Sequence, residues 1–465
     1  MRRTYVLTAV VGLLAAIALT IGIVVARADQ PATLPSVSAS ELLFKMATTD
    51  HSNVVVNGTV KWTNDLLGQS GLIDTSQYGA AQSPLTGSGS GRLWLQDGNL
   101  RLESQGQGGD QIAVFNQKAH TAWTYTYAAN TATEYTMPAQ NDKPVASPEP
   151  SPTGTFGPTD IQKYIEQMAA TAQVTVAGQT QVAGRDAYVL QMVPTATDTA
   201  LGKVQVTVDA ATSLPLSLQI FPAGSDKATI SFGFESISFD RVTSDLFTFS
   251  PPEGTKVTHK DLAAEMDKMR AQTGAQSGQA WSDQKAADQK AADQNGGGRT
   301  EPKPLTVDQA QAKADFTLLT PQNDESVRPF QGAWFVDQAQ IAKQLKAFEQ
   351  AGGAQTPEPA PTEGEPAANT PKFDPAKLPQ QAVAMQYGEG FGAIWFAQAP
   401  STPELDKQLA RLPEQVAKEQ IAGHQAWKIT TPLGGLIVWQ QGDLTLMAGG
   451  MVTSGDLASF VAAVQ

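Results

Sequence analysis

Few side chains in this sequence are spaced for chemistry. Tyr387-Gly-Glu-Gly-Phe-Gly392 has the glycine content of a phosphate-cradling loop. Such a loop must leave a strand and open a helix, and this run is flanked by strand-like segments on both sides, so it reads as a turn or bulge. The four histidines, His51, His120, His259 and His424, are scattered, and Ser88 and Ser90 have no paired histidine and aspartate pattern. Asp240, Asp245 and Glu253 fall in turns without basic partners and read as solvated surface. Asn57-Gly58-Thr59 fits a glycosylation triplet but lies inside a predicted strand. There is no cysteine, which excludes a disulfide scaffold, a thiol nucleophile, a cysteine zinc site and a lipid-anchored cysteine. No catalytic, metal or cofactor set emerges. With 45 acidic against 32 basic side chains the net charge is −13, and such a surface repels phosphate, so nucleic acid is not an expected partner. The composition predicts a binding protein, not an enzyme, and without nucleophile–base patterns a hydrolase is not expected.

What remains is apolar patterning. Gly91-Arg-Leu-Trp-Leu-Gln-Asp-Gly-Asn-Leu-Arg-Leu-Glu103 predicts a hairpin with a two-residue Asp97-Gly98 turn. Counting outward sets Leu95 against Leu100 and Leu93 against Leu102 on one face. Trp94–Arg101 is then a cation–π pair and Arg92–Glu103 an ion pair on the other. Trp123, Tyr125 and Tyr127 alternate with threonines and stack on one face of a further strand. Ile161, Ile165, Met168 and Ala172 form the stripe of a helix capped by Thr159-x-x-Gln162. Alternation alone does not distinguish a filled interior from an open one. An open one lined by Leu93, Leu95, Leu100, Leu102, Trp123, Tyr125, Ile161, Ile165 and Met168 would need no catalytic group. At about 0.8 kcal/mol per buried CH₂, an acyl chain of roughly sixteen carbons gains on the order of 10 kcal/mol there.

The elements that must position these residues fall into two domains. Arg2 and Arg3 precede the apolar run Tyr5–Ala26, which is long enough to span a bilayer. Residues 1–28 are therefore a membrane anchor or, if Ala26-Arg27-Ala28 is a cleavage site, a signal peptide. Both readings place the rest outside the cytoplasm. Stretches 67–91, 139–158, 274–304 and 355–375 are rich in Gly, Ser, Gln, Pro, Glu or Ala and bury too little to fold alone. The predicted domains are 36–257 and 304–465, joined by a helical and low-complexity linker over 258–303. In the first, Ser38-x-x-Glu41 caps a helix burying Leu42, Leu43 and Met46. Strands follow over 53–63, 112–115, 187–193, 203–208, 214–221 and 228–239, with another starting at Val174. The expected fold is α+β, about ten antiparallel strands in one large sheet wrapped on few helices.

The second domain is predicted as a smaller α+β unit. It has helices over 339–350, 403–418 (with Pro413 inside) and 456–464, and strands over 382–398 and 427–451. Gln420-Ile-Ala-Gly-His-Gln-Ala-Trp427 echoes Gln181-Val-Ala-Gly-Arg-Asp-Ala-Tyr188, and both read as a small turn before a strand.

Gly91-x-Leu-Trp-Leu-x-x-x-Asn99, Trp123-x-Tyr125, Val182-x-Gly184-x-x-Ala-Tyr-Val-Leu190, Val208-Asp209 with Leu214-Pro215, and Phe247-Thr-Phe-Ser-Pro-Pro-Glu-Gly254 occur in the order of one family. Over about 36–257 the chain resembles the outer-membrane lipoprotein carriers (LolA-like), and its whole layout is similar to actinobacterial two-domain members. The resemblance implies an incomplete antiparallel β-barrel around helices, with an apolar cavity for a lipid or lipoprotein acyl chain, and a role in envelope lipoprotein or lipid transport. Carriers of this family usually have arginine-proline where this chain has Asp97-Gly98, so that feature of lipoprotein handling does not transfer. A related branch, the periplasmic regulators of anti-sigma factors, shares the fold and implies a membrane-protein partner without lipid transfer.

Overall fold

The computed structural model describes residues 34–49, 54–66, 87–106, 109–137, 166, 169–261, 304–322, 327–337, 378–410, 412 and 416–465. Helix α1 (Ala39–Thr48) opens it, with the Ser38 hydroxyl accepting from the Glu41 amide at 3.1 Å, as the capping pattern predicts. Leu42 and Met46 are buried and Leu43 packs beside them.

Two meanders make the first sheet. One is β1 (Val56–Asn64), β2 (Gly89–Gln96), β3 (Asn99–Gly106), β4 (Gln111–Asn116), β5 (Thr121–Thr126) and β6 (Thr131–Thr136). The other is β7 (Ala172–Val182), β8 (Arg185–Pro194), β9 (Leu201–Asp209), β10 (Pro215–Pro222) and β11 (Ile230–Ser238). Antiparallel pairing of β1 with β11 joins them. A twelfth strand, β12 (Lys256–Asp261), adds parallel to β6. It extends the sheet beyond residue 257 into the region expected to be linker; the remainder of the predicted linker lies outside the described residues. The sheet is open, with β12 and β7 at its edges, and is not a closed barrel. Of the helices it was expected to wrap, α1 alone lies among the described residues and covers one corner, so wrapping around helices is not what they show.

The hairpin register is as counted: Leu95 faces Leu100, Leu93 faces Leu102, Trp94 faces Arg101 and Arg92 faces Glu103. Asp97 (φ 49°) and Gly98 (φ 74°) are both left-handed, the backbone that a twist-matched two-residue turn requires. The expected polar pairs are exchanged, however. Arg92 lies over its own-strand neighbour Trp94 at 4.8 Å, and Arg101 bonds Glu103 at 2.8 Å. Arg101 is drawn away from Trp94 because it also donates to the Leu246 carbonyl, 3.1 Å away on the crossing chain.

The second sheet is antiparallel throughout, in the order β13 (Phe330–Asp337), β14 (Gln381–Tyr387), β15 (Ile394–Pro400), β19 (Leu444–Gly450), β18 (Gly434–Gln441), β17 (His424–Thr431) and β16 (Ala417–Ile421). Short helices α2 (Val307–Gln311) and α3 (Pro403–Ala410) flank it, and α4 (Ser454–Ala463) closes the chain. Phe460 of α4 meets Phe396 at 5.5 Å and Tyr387 at 5.2 Å, and Phe396 stacks on Trp439 at 5.9 Å. The helix predicted over 403–418 stops at Ala410, and Ala417 already begins β16. Pro413 accounts for this, because a proline removes a helical donor and pushes the preceding Leu412 toward extended backbone. The helix predicted over 339–350 lies outside the described residues. Both echoed segments form two-residue Ala-Gly hairpin turns, with Val182 facing Arg185 and Ile421 facing His424.

Candidate functional site: an apolar sheet face and its boundaries

Residues directly opposite on neighbouring strands share a face, so one side of the first sheet follows from its register. Trp62 faces Phe232, Phe232 faces Leu218, Leu218 faces Val206, Val206 faces Leu190 and Leu190 faces Val176. The same face reaches the predicted leucines, since Val56, alternating with Trp62 on β1, faces Leu95, and Leu95 faces Leu100. Leu93, Leu95, Leu100 and Leu102 thus belong to one continuous apolar surface. Leu93 is buried, while Leu95, Leu100 and Leu102 are half-buried.

Trp123 and Tyr125 do not join them. Arg101 faces Val114 and Val114 faces Trp123, while Glu103 faces Ile112 and Ile112 faces Tyr125, which puts both aromatics on the opposite side. There they are capped by the chain's own Phe249, with ring centroids 5.6 Å from each. The segment carrying Phe249 crosses this back face. Its Leu246 and Phe247 carbonyls accept from Arg101 and Asn116, and it ends as β12. A single surface lined by both leucines and aromatics, as the sequence pattern suggested, is therefore not formed. Sequence alternation gives the face within a strand, but the relation between faces of distant strands depends on register at every intervening pair. Ile161, Ile165 and Met168 lie outside the described residues.

The apolar face is bounded by two elements. Leu42 and Met46 of α1 lie over Leu190 and Val206. At the other end Phe391 and Leu433 of the second sheet pack on Met192, Leu201 and Val204. Phe391 belongs to the glycine-rich run, which forms a single 3₁₀ turn, Gly390–Gly392, between β14 and β15, as the turn reading expected. Gly390 has φ 58°, and a Cβ there would lie 2.8 Å from the Thr171 Cβ, so the close approach of the two sheets requires glycine at this point. Thr199 bridges to Val452, the Met451 carbonyl accepts from both the Ala200 amide and the Thr199 hydroxyl at 2.7 Å, and Arg328 pairs with Asp198 at 2.6 Å. The Arg328 Nη2 also donates to the Asp198 carbonyl at 3.1 Å and lies 3.9 Å from Asp456 of its own domain, while its buried Nε has no hydrogen-bond partner. Beside it, burial pushes the Tyr387 phenol up to about 12, and the ring is packing material.

In Arg185–Asp209 the ionisation of both partners is shifted. Asp209, 1% exposed, accepts from the Arg185 Nη2 at 2.9 Å as well as from Nε, and from the Ala211 amide at 3.0 Å and the Thr212 amide and hydroxyl at 2.7 and 2.8 Å. Burial opposes its charge, but Arg185 and Thr212 outweigh it and hold the carboxyl below the usual carboxylate range; the same bond raises the guanidinium. The Arg185 guanidinium lies 4.6 Å from the Phe239 ring. The pair ties the β7–β8 hairpin to the β9–β10 turn. It lies within two of the sequence motifs, yet no spacing rule joins residues 24 positions apart, and the pairing was not read from them.

The other reactive side chains are dispersed. His259 bonds Glu134 at 2.7 Å across β12 and β6, His120 occupies a turn, and His424 begins β17. Asn57 donates to the Asp240 carbonyl at 2.8 Å, Ser88 accepts from the Asn64 amide at 3.2 Å, and Asp240, Asp245 and Glu253 are exposed. Among the described residues no three His, Asp or Glu side chains are grouped to hold a metal ion, and no helix is long and apolar enough to cross a membrane. The run Tyr5–Ala26 lies outside those residues.

The arrangement defines a two-sheet α+β scaffold. No family model matches the chain, and no characterised protein matches it by sequence. Among solved structures, it is similar to a chain of the Pseudomonas aeruginosa MucA/MucB complex, at 12% identity over 92% of this chain and 98% of that one, with TM-score 0.36. It is also similar to an outer-membrane lipoprotein-sorting protein domain from Vibrio parahaemolyticus (12% identity, 44% and 95% of the two chains, TM-score 0.18). A LolA superfamily protein from Nitrosomonas europaea aligns at 11% identity over 46% and 99%, with TM-score 0.17. The LolA-like neighbours cover part of the chain only. All three scores lie under 0.5, so the functional argument rests on the residues above.

Proposed function

We propose that this is a non-enzymatic, extracytoplasmic binding protein of LolA-like, two-domain type, tethered to the membrane by its N-terminal segment. Its first domain holds a lipid or lipoprotein acyl chain on the apolar face of the twelve-stranded sheet. One observation carries this reading: the face stays apolar from Val176 to Leu100, and three of the four leucines at that end, Leu95, Leu100 and Leu102, are only half-buried. Recognition by such a face is apolar burial alone. An acyl chain of about sixteen carbons has on the order of 10 kcal/mol to gain there, against roughly 4–15 kcal/mol lost on association, so binding requires that most of the chain be covered.

Native mass spectrometry of the chain from Asp29 onward, gently purified, tests it. A co-purifying acyl lipid is the expected result, and Leu100→Gln with Leu102→Gln should weaken a fluorescent fatty acid about tenfold or more, since each leucine contributes roughly 1.5–3 kcal/mol when covered. A bare polypeptide mass together with no fatty-acid binding overturns the reading.

A second reading has its own observation. Trp395 and Met447 of the second sheet are strongly exposed, which favours a protein-contact role for that domain toward a membrane-protein partner.

A further inference from the structure

Helix α4 covers one face of the second sheet. On the other, apolar residues face one another strand after strand. Trp334 lies opposite Ala384, Ala384 opposite Ala397, Ala397 opposite Met447, Met447 opposite Val438 and Val438 opposite Trp427. Two residues along, Trp395 lies opposite Gly449 and Gly449 opposite Leu436. Three large apolar side chains are strongly exposed among the described residues, and two of them are here: Trp395 at 43% and Met447 at 41%. Trp334 sits 5.5 Å from Trp395. Trp334, Val438 and Trp427 are half-buried around these two exposed side chains, and an apolar surface with exposed large side chains at its centre is the pattern of an interaction site. Tryptophan and methionine are side chains enriched where proteins bind proteins.

The shape of the band selects its occupant. With strands about 4.8 Å apart, six of them give a length of about 24 Å, and two alternating residues per strand give a width of about 10 Å. One long side is bounded by α3, whose Asp406 accepts from Gln440, two residues along β18 from Val438, at 2.6 Å. A footprint of a few hundred Å² falls well below the roughly 800 Å² per partner that a stable dimer buries, which argues against a second copy of this chain. A single helix is about 10 Å across and about 16 residues long over 24 Å. We propose that the band running from Trp334 past Trp395 and Met447 to Trp427 is the docking face for one amphipathic helix of a partner protein, laid across the strands with its apolar side down. This rests on the protein-contact reading of the second domain and is independent of acyl binding by the first.

The test places the photoreactive residue benzoylphenylalanine at Trp395 and, separately, at Met447 in the full chain in its native host. Tyr127, exposed at 52% in the first domain, is the control position. Expected are adducts from both sites to one polypeptide, at residues three or four apart within a single segment. In the chain labelled at 395, Met447→Lys should cut the yield at least fivefold while thermal unfolding is unchanged. Adducts to this chain's own 338–377, to a second copy, to lipid, or none above the Tyr127 control overturn the proposal. Fatty-acid binding measured on the same chains reads the first domain separately, so failure of one reading is not mistaken for failure of the other.

Discussion

Asp209→Ala is expected to lower the stability of the first domain by about 3 kcal/mol, the low end of the range for removing one partner of a buried ion pair. The low end applies because the Arg185 side chain keeps 28% exposure while Asp209 keeps 1%. The substitution strands a guanidinium against the Phe239 ring and frees the Ala211 and Thr212 donors. Asp209→Asn separates charge from turn geometry. Because the native carboxyl sits below its usual range, the pair contributes in full above the unfolded value of about 3.9 and is lost as pH falls through the lower native value. Urea unfolding at pH 7 and pH 3 should therefore show a wide gap between wild type and Asp209→Asn that narrows in acid. An equal gap at both pH values contradicts this assignment.

Phe391→Ala is expected to cost about 3–5 kcal/mol, the usual range for a buried phenylalanine, and to spend it on the junction between the sheets. Phe391 is 5% exposed, and its neighbours Met192, Leu201 and Val204 all belong to the first domain. Scanning calorimetry should show one coupled unfolding transition in the wild type and two separated ones in the variant. Phe460→Ala, beneath α4, is the control: it should weaken the second domain and leave the coupling in place. A Phe391→Ala protein that still unfolds in one transition would show that Arg328 and the Thr199–Val452 bridge suffice.

Much of the fold was legible wherever the signal is local. The Asp97-Gly98 turn set the leucine pairing, Ser38 capped α1, and the two Ala-Gly repeats became matching hairpins, because each depends on residues a few positions apart. The candidate site was legible only in part. Its four leucines share a face, but assigning Trp123 and Tyr125 to the same surface needed the registers of β3 with β4 and β4 with β5, which no short pattern encodes. Strand β12 was missed because Lys256–Asp261 is nearly all polar and exposed; it is a strand only because β6 offers an edge. The Tyr387–Gly392 run was correctly a turn, yet its partner Thr171 lies more than 200 residues away, so its part in joining the domains was invisible.

The pairing of β1 with β11 has a kinetic consequence. Asn57 and Ser238 become neighbours only after the intervening 180 residues have been synthesised. Closure of so long a loop makes this a topology of high contact order, expected to mature slowly. Until it does, Val60 and Trp62 stand on a strand edge without its β11 partner, so the slow step of folding is also the one most exposed to aggregation.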